Sequence, residues 1–168
     1  MSRRATGPAT TFRPAVPADH AAIRALVDDT TIPRGYAEAR TYVLRLVVEG
    51  RAPEARALVA EREGRVVGCV LFGAVAGAVG TGRVQWVTVA DDARRSGIAT
   101  GLCDAAVADL TDTGVRSIVA EMPEDVVFAA GRALLTRCGF TEAARVPDYY
   151  RDEVDLVVLQ RILAGRDY

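Results

Sequence analysis

The stretch "WVTVADDARRSGIATGL", residues 86–102, passes from a β-branched run straight into a helix-like pattern through Arg94, Arg95, Ser96 and Gly97. The first backbone N–H groups of a helix have no partner inside it. They carry about half a positive charge from the helix dipole and so attract anions, phosphates above all. Gly97 lets a ligand approach the main chain, small Ala99 keeps the next turn open, and Ser96 is placed to cap the helix. Arg94 and Arg95 add formal charge. The loop is neither a Walker sequence nor G-x-G-x-x-G, so the ordinary nucleotide folds are not indicated. A helix start with two solvated arginines and no ligand is the alternative reading of these residues.

The strand before this loop (83–89) and a strand after its helix (116–122) frame a β-α-β unit. Its helix, from Gly97 to Thr113, carries Ile98, Leu102, Ala106 and Leu110 in one row and Ala99, Cys103 and Val107 in another, with Gly114 as its stop. Upstream, "ALVAEREGRVVGCVLFGAV" reads as a hairpin around Glu61–Arg65. Before it come a short extended segment at 11–15, a helix opening at Pro17 with Ile23, Leu26 and Val27 on one face, and a second helix from Tyr36 that Gly50 ends. Downstream, a helix opens at Pro123-Glu124-Asp125 and closes at Arg137 and Gly139. Strands at 140–145 and 154–163 then flank "VPDYYRDE". The order β-α-α-β-β-β-α-β-α-β-β is that of one α/β domain whose first half is largely antiparallel.

Composition narrows the class. The chain has 168 residues, 50% hydrophobic and 26% charged, enough for one well-buried core over residues 11–168 behind a flexible tail at 1–10. A net charge of −1 gives no field that would draw nucleic acid or an anionic membrane, although all 21 basic residues are arginine. Cys69, Cys103 and Cys138 are odd in number and match no metal-ligand spacing; they read as small core residues of a reducing cytoplasm. The opening residues lack the apolar run of a secretory signal. The uncharged stretch 66–80 falls short of the roughly 20 residues that a membrane span needs.

Taken together, the element order and Val-x-Asp-x-x-Arg-Arg-Ser-Gly-Ile-Ala over Val89–Ala99 resemble the GNAT superfamily of N-acetyltransferases. Arg94, Gly97 and Ala99 fit that family's Arg/Gln-x-x-Gly-x-Gly/Ala pyrophosphate loop. "LLTRCGF" (134–140) is similar to its helix-end signature, and "VPDYY" before a last apolar strand looks like its C-terminal section. The likeness runs from about residue 11 to 163. It implies a mixed, mostly antiparallel sheet with flanking helices, splayed between the strands at 83–89 and 116–122. Acetyl-CoA would lie in that opening as co-substrate, its pantetheine arm along Val87, Thr88 and Val89 and paired with the main chain of Val87 and Val89. Its pyrophosphate would rest on the N–H groups of Arg95, Ser96, Gly97, Ile98 and Ala99. No metal is implied.

Acetyl transfer to an amine needs a base, because an amine of pKa near ~10 lies about three units, some 4 kcal/mol, from its nucleophilic form at pH 7. It is helped by a proton donor to the departing thiolate. Arg83 and Gln85 on the first splayed strand cannot serve as base; Glu121 on the second is the candidate, at a place similar to the family's strand glutamate. The chain departs from the family where many members have a tyrosine and an asparagine, since Leu135 and Phe128 stand there. Tyr149 or Tyr150 is the substitute donor, a phenol having a suitable pKa. The resemblance implies an acceptor side walled by residues 30–36 and 146–152, whose polar and aromatic side chains would suit a small polar amine. The expected activity is N-acetyl transfer to such an amine by direct attack in a ternary complex, in a monomer or homodimer. The alternative is a GNAT-like sensor or interaction module that binds acyl-CoA without turnover.

Overall fold

The computed structural model describes residues 9–28, 36, 50, 51 and 53–163. Seven strands, β1 (Thr10–Pro14), β2 (Ala55–Arg62), β3 (Arg65–Ala74), β4 (Thr81–Val89), β5 (Ser117–Pro123), β6 (Thr141–Arg151) and β7 (Val154–Ile162), form one sheet in the order β1-β2-β3-β4-β5-β7-β6. Every neighbouring pair is antiparallel except β4 and β5. Helix α1 (His20–Asp28) packs on one face of the sheet; α2 (Ile98–Asp112) and α3 (Ala129–Arg137) pack on the other.

The periodicities behave as their spacing dictates. Leu102, Ala106 and Leu110 of α2, with Cys103 and Val107, are buried against Phe72, Ile118 and Phe140 in the larger core. Ile23 and Val27 of α1 close over Val59 and Cys69 on the opposite face. All three cysteines are buried thiols. Burial pushes the Cys69 thiol up to about 12, so it behaves as a small hydrophobe.

Three boundaries differ from the sequence reading. Pro123 ends β5 rather than opening a helix, and α3 starts at Ala129 after a 3₁₀ turn, Val126–Phe128. Asp125 caps that turn, accepting from the Val127 N–H at 3.2 Å. The "VPDYYR" segment belongs to β6, whose register against β7 jumps between Val146 and Arg151, so that the tyrosine pair bulges out of the ladder. The helix expected between Tyr36 and Gly50 lies outside the described residues, apart from Tyr36 and Gly50 themselves.

One feature of the sheet creates the site. The parallel pairing of β4 with β5 holds for only three steps, Thr81↔Ser117, Gly82↔Ile118 and Arg83↔Val119. Beyond them the strands separate into a V that widens toward their C-terminal ends. The cause is local: Gln85 is an extra residue in β4, inserted where the register against β3 shifts from Phe72↔Val84 to Leu71↔Trp86. Such a bulge bends its strand and ends pairing on one side.

The start of α1 is tied to the sheet by an ion-pair cluster. Arg13 of β1 donates to both Asp19 oxygens, at 2.7 and 3.0 Å, and to Glu61 of β2 at 2.7 Å; Asp19 also accepts from the Val16 N–H. The Arg13 guanidinium holds the almost buried Asp19 carboxyl below its ordinary value. A carboxyl with a depressed folded pKa contributes stability that is complete above its unfolded pKa, about 4, and lost as pH falls through the folded value. Asp19→Asn is therefore expected to destabilise by about 1–3 kcal/mol at pH 7, with a difference in melting temperature that shrinks as acid melts are taken below pH 4.

Candidate active site

The loop of Arg94 to Ala99 follows β4 at the wide end of the V. Ala90 leads into a 3₁₀ turn at Asp91–Ala93, and two left-handed residues follow, Arg95 (φ 59°) and Gly97 (φ 80°). Gly97 is the N-cap of α2, and no side chain caps this end. The first main-chain bond of the helix runs from the Gly101 N–H to the Gly97 carbonyl, which leaves the N–H groups of Ile98, Ala99 and Thr100 without helical partners. A Cβ built on Gly97 would meet nothing within 4 Å, so the space over the helix start is open. A left-handed conformation costs a non-glycine residue about 1–2 kcal/mol; at Arg95 that strain sits where main-chain donors are turned outward.

The side chains of this loop divide the work differently from the sequence reading. Ser96 does not cap the helix: its hydroxyl donates to the Ala93 carbonyl at 2.6 Å and ties the turn together. Arg94 braces the strand end, donating from Nε to the Val89 carbonyl at 3.2 Å and pairing with Asp91 at 2.8 Å. Arg95 makes no ion pair with a described residue. Arg62, at the end of β2, donates to the Ser96 hydroxyl at 3.3 Å and to Thr10 at 3.1 Å. Sequence reasoning missed Arg62, because only the β2-β3 hairpin carries it across to the loop.

Along the V, the Ala90 N–H bonds to Val67 of β3. By strand alternation, the main-chain groups of Val87 and Val89 face away from β3, toward the separated β5. The Val89 carbonyl already accepts from Arg94, whereas the Val87 amide and carbonyl and the Val89 amide have no strand partner. Thr88 points the other way, buried on the α1 face with its hydroxyl donating to the Leu26 carbonyl at 3.4 Å.

On the α1 face, at the point where the strands part, Arg83 of β4 reaches Glu121 of β5, Nη2 to Oε1 at 3.0 Å. Both side chains are partly exposed, and the second oxygen of Glu121 holds no bond to a described residue. An aromatic cluster stands beside this pair. Tyr150 packs edge-on against Tyr149 (centroids 5.0 Å) and Tyr36 (5.9 Å), and Tyr36 against Phe128 (5.1 Å). Burial, and then the charge of Glu121, raise the Tyr150 phenol above its ordinary value. Asp125 gathers the rim, accepting from Arg151 at 2.7 Å and from the Tyr36 hydroxyl at 3.3 Å. The Val127 amide first, and then Arg151, hold its carboxyl below the usual range.

Glu121 and Tyr150 thus share one neighbourhood, with Tyr149 stacked on the outer, exposed side. Leu135, where the family carries tyrosine, is buried in the main core, and Phe128 stacks on Tyr36; neither offers a proton. No group of metal-ligating side chains occurs among the described residues, and none of the described helices is long and apolar enough to cross a membrane.

Comparison with known proteins gives the same frame. The pattern of the acetyltransferase (GNAT) family matches residues 21–140. A GNAT-family protein from Desulfovibrio desulfuricans superposes with a TM-score of 0.82 at 24% identity, covering 93% of this chain and 100% of that one. The ribosomal-protein-alanine N-acetyltransferase of Brucella melitensis superposes at 0.70, with 26% identity and 91% and 99% coverage. The yncA protein of Salmonella typhimurium, solved with its cofactor acetyl-CoA, superposes at 0.73, with 23% identity and 95% and 97% coverage. No curated protein matches by sequence. With more than two-thirds of its length matched to the family pattern, and with the splayed sheet, the chain belongs to the acetyltransferase (GNAT) family and is by that membership an acyltransferase.

Proposed function

We propose that the protein transfers an acetyl group from acetyl-CoA to the amine of a small polar acceptor by direct attack in a ternary complex. The observation that carries this is the V between β4 and β5. It leaves main-chain groups of Val87 and Val89 unpaired beside an uncapped helix N-terminus. A pantetheine arm adds to β4 as an extra strand would. The pyrophosphate takes the N–H groups from Arg95 to Ala99, with the Arg95 guanidinium alongside.

Glu121 removes the amine proton through its free oxygen, directly or through one water. The amine nitrogen then bonds to the thioester carbon, and the carbon–sulfur bond breaks as CoA leaves. Tyr150, protonated at neutral pH, gives its proton to the sulfur and regains one from the nitrogen, which sheds its second proton as the amide forms; Tyr149 holds its ring in place. A base and a proton donor on the open face of the V support turnover over the alternative of an acyl-CoA sensor. The three buried thiols fit a reducing cytoplasm, and we read the assembly as a monomer or homodimer.

The test is calorimetric titration with acetyl-CoA, followed by thiol release across a panel of small amines. Absence of acetyl-CoA binding by the folded protein, or binding with no release from any amine, would end this reading. Tyr150→Phe is expected to lower kcat about 10²-fold with an unchanged Kd for acetyl-CoA, the low end for a general acid because a thiolate leaves readily. The sign of its pH dependence follows from the raised phenol. Wild-type kcat holds until pH passes above about 10 and then falls, and the variant lacks that alkaline limb.

A further inference from the structure

Three buried side-chain polar atoms find no hydrogen-bond partner among the described residues: the Nε of Arg83, the Oε1 of Gln85 and the Nε1 of Trp86. All three belong to four consecutive residues of β4, at the bulge where that strand leaves β5. Buried polar atoms are almost always bonded, and an unmet one costs about 1–3 kcal/mol, more when charged. Three at one place, where β4 and β5 begin to part, are unspent hydrogen-bonding capacity that a bound group takes up once these buried side chains turn toward it.

Their chemistry says what. They come as two N–H donors and one carbonyl acceptor, the complement of a carboxylate beside an amine. Arg83 spends one nitrogen on Glu121, and its Nε and Nη1 donate to nothing described. The carboxylates nearby are already matched, Glu121 by Arg83 and Asp125 by Arg151, so the unused capacity of the site lies with donors. Spare guanidinium donors beside neutralised acids favour an anionic group over a bare polyamine or a neutral amide.

We infer that the acceptor is a free α-amino acid. Its carboxylate is held by Arg83 and the indole N–H of Trp86, its amine is oriented by the Gln85 carbonyl toward Glu121, and its side chain lies among Tyr36, Tyr149 and Tyr150. Arg83 and Gln85 are thereby specificity-determining residues for the acceptor. The inference rests on the acetyl-transfer reading for the meaning of the site, but its recognition chemistry is measurable without turnover.

The experiment titrates the CoA-saturated protein by calorimetry with free amino acids, the matching α-amino amides and the matching decarboxylated amines, and follows thiol release from acetyl-CoA with the same panel. A free acid bound and used at least about tenfold better than its amide and its amine is expected, one charged hydrogen bond being worth that much. In Arg83→Gln, and in Arg83→Lys, which keeps the charge but loses the Nε donor, the preference shrinks while the Kd for CoA stays within about twofold. The lysine variant also guards against a fold defect in the glutamine one. Equal use of all three forms overturns the inference and leaves the transferase reading intact. Preference for the amide overturns it in favour of a peptide α-amine. Failure of every free acid to bind while CoA still binds also overturns it. Binding of a free acid without thiol release supports the inference and removes the transferase reading instead.

Discussion

Gly97→Glu is expected to lower acetyl-CoA affinity by at least about 100-fold, some 2.7 kcal/mol or more, while leaving the protein folded. Two effects act together. The new carboxylate enters the open space above the first turn of α2, where the unmatched N–H groups and the Arg95 charge would otherwise hold a pyrophosphate. The left-handed φ of 80° also strains any side chain by about 1–2 kcal/mol. That strain is small beside the 5–15 kcal/mol that holds a typical domain folded, and a Cβ here meets no atom within 4 Å. Gly97→Ala separates the two effects, since it carries the strain without the charge, and should weaken binding only several-fold. Calorimetry on both variants, with circular dichroism as the fold control, makes the comparison. Wild-type affinity in the glutamate variant would mean that no phosphate sits on this helix.

Glu121→Gln is the second large effect. It removes the proposed base but keeps size and a hydrogen-bond acceptor for Arg83, so kcat should fall by about 10²–10⁴ with little change in acetyl-CoA affinity. The design matters because Glu121 also ties β5 to β4 where the two strands begin to part. A merely structural role would alter the Kd for acetyl-CoA or the melting temperature; a proton-transfer role would not. Raising pH should partly rescue the variant, as more of the acceptor amine loses its proton without help. An unchanged kcat would move the base elsewhere.

Much of this was legible in the chain because it depends on local rules. The α2 rows at i and i+4, the hairpin turn at Glu63-Gly64, the stop at Gly114 and the helix start after Gly97 are properties of neighbouring residues, and the structure repeats them. Where local signals competed, the reading slipped. Pro123-Glu124-Asp125 looks like a helix start, yet β7 recruits Pro123 into the sheet opposite Leu156, so the helix waits for Ala129. "VPDYYR" looks like a loop, yet β7 pairs with both its ends and carries it as a long bulge.

The site divides along the same line. By itself the sequence determined the loop of Arg94 to Ala99, the β-branched strand before it, and the presence of Glu121 and a tyrosine pair, since these are contiguous or lie at characteristic spacings. Only the tertiary structure decided how they work together. The bulge at Gln85 opens the V, and strand register puts Arg83 on Glu121 from 38 residues away. The hairpin brings Arg62 to Ser96, while Arg94 is drawn back to the Val89 carbonyl and Arg95 makes no ion pair with a described residue. The physical reason is range. Helix starts, turns and periodic faces are set within a few residues by backbone geometry and burial. Pairing register and the partner of a charged side chain are set by which distant strands the core brings together.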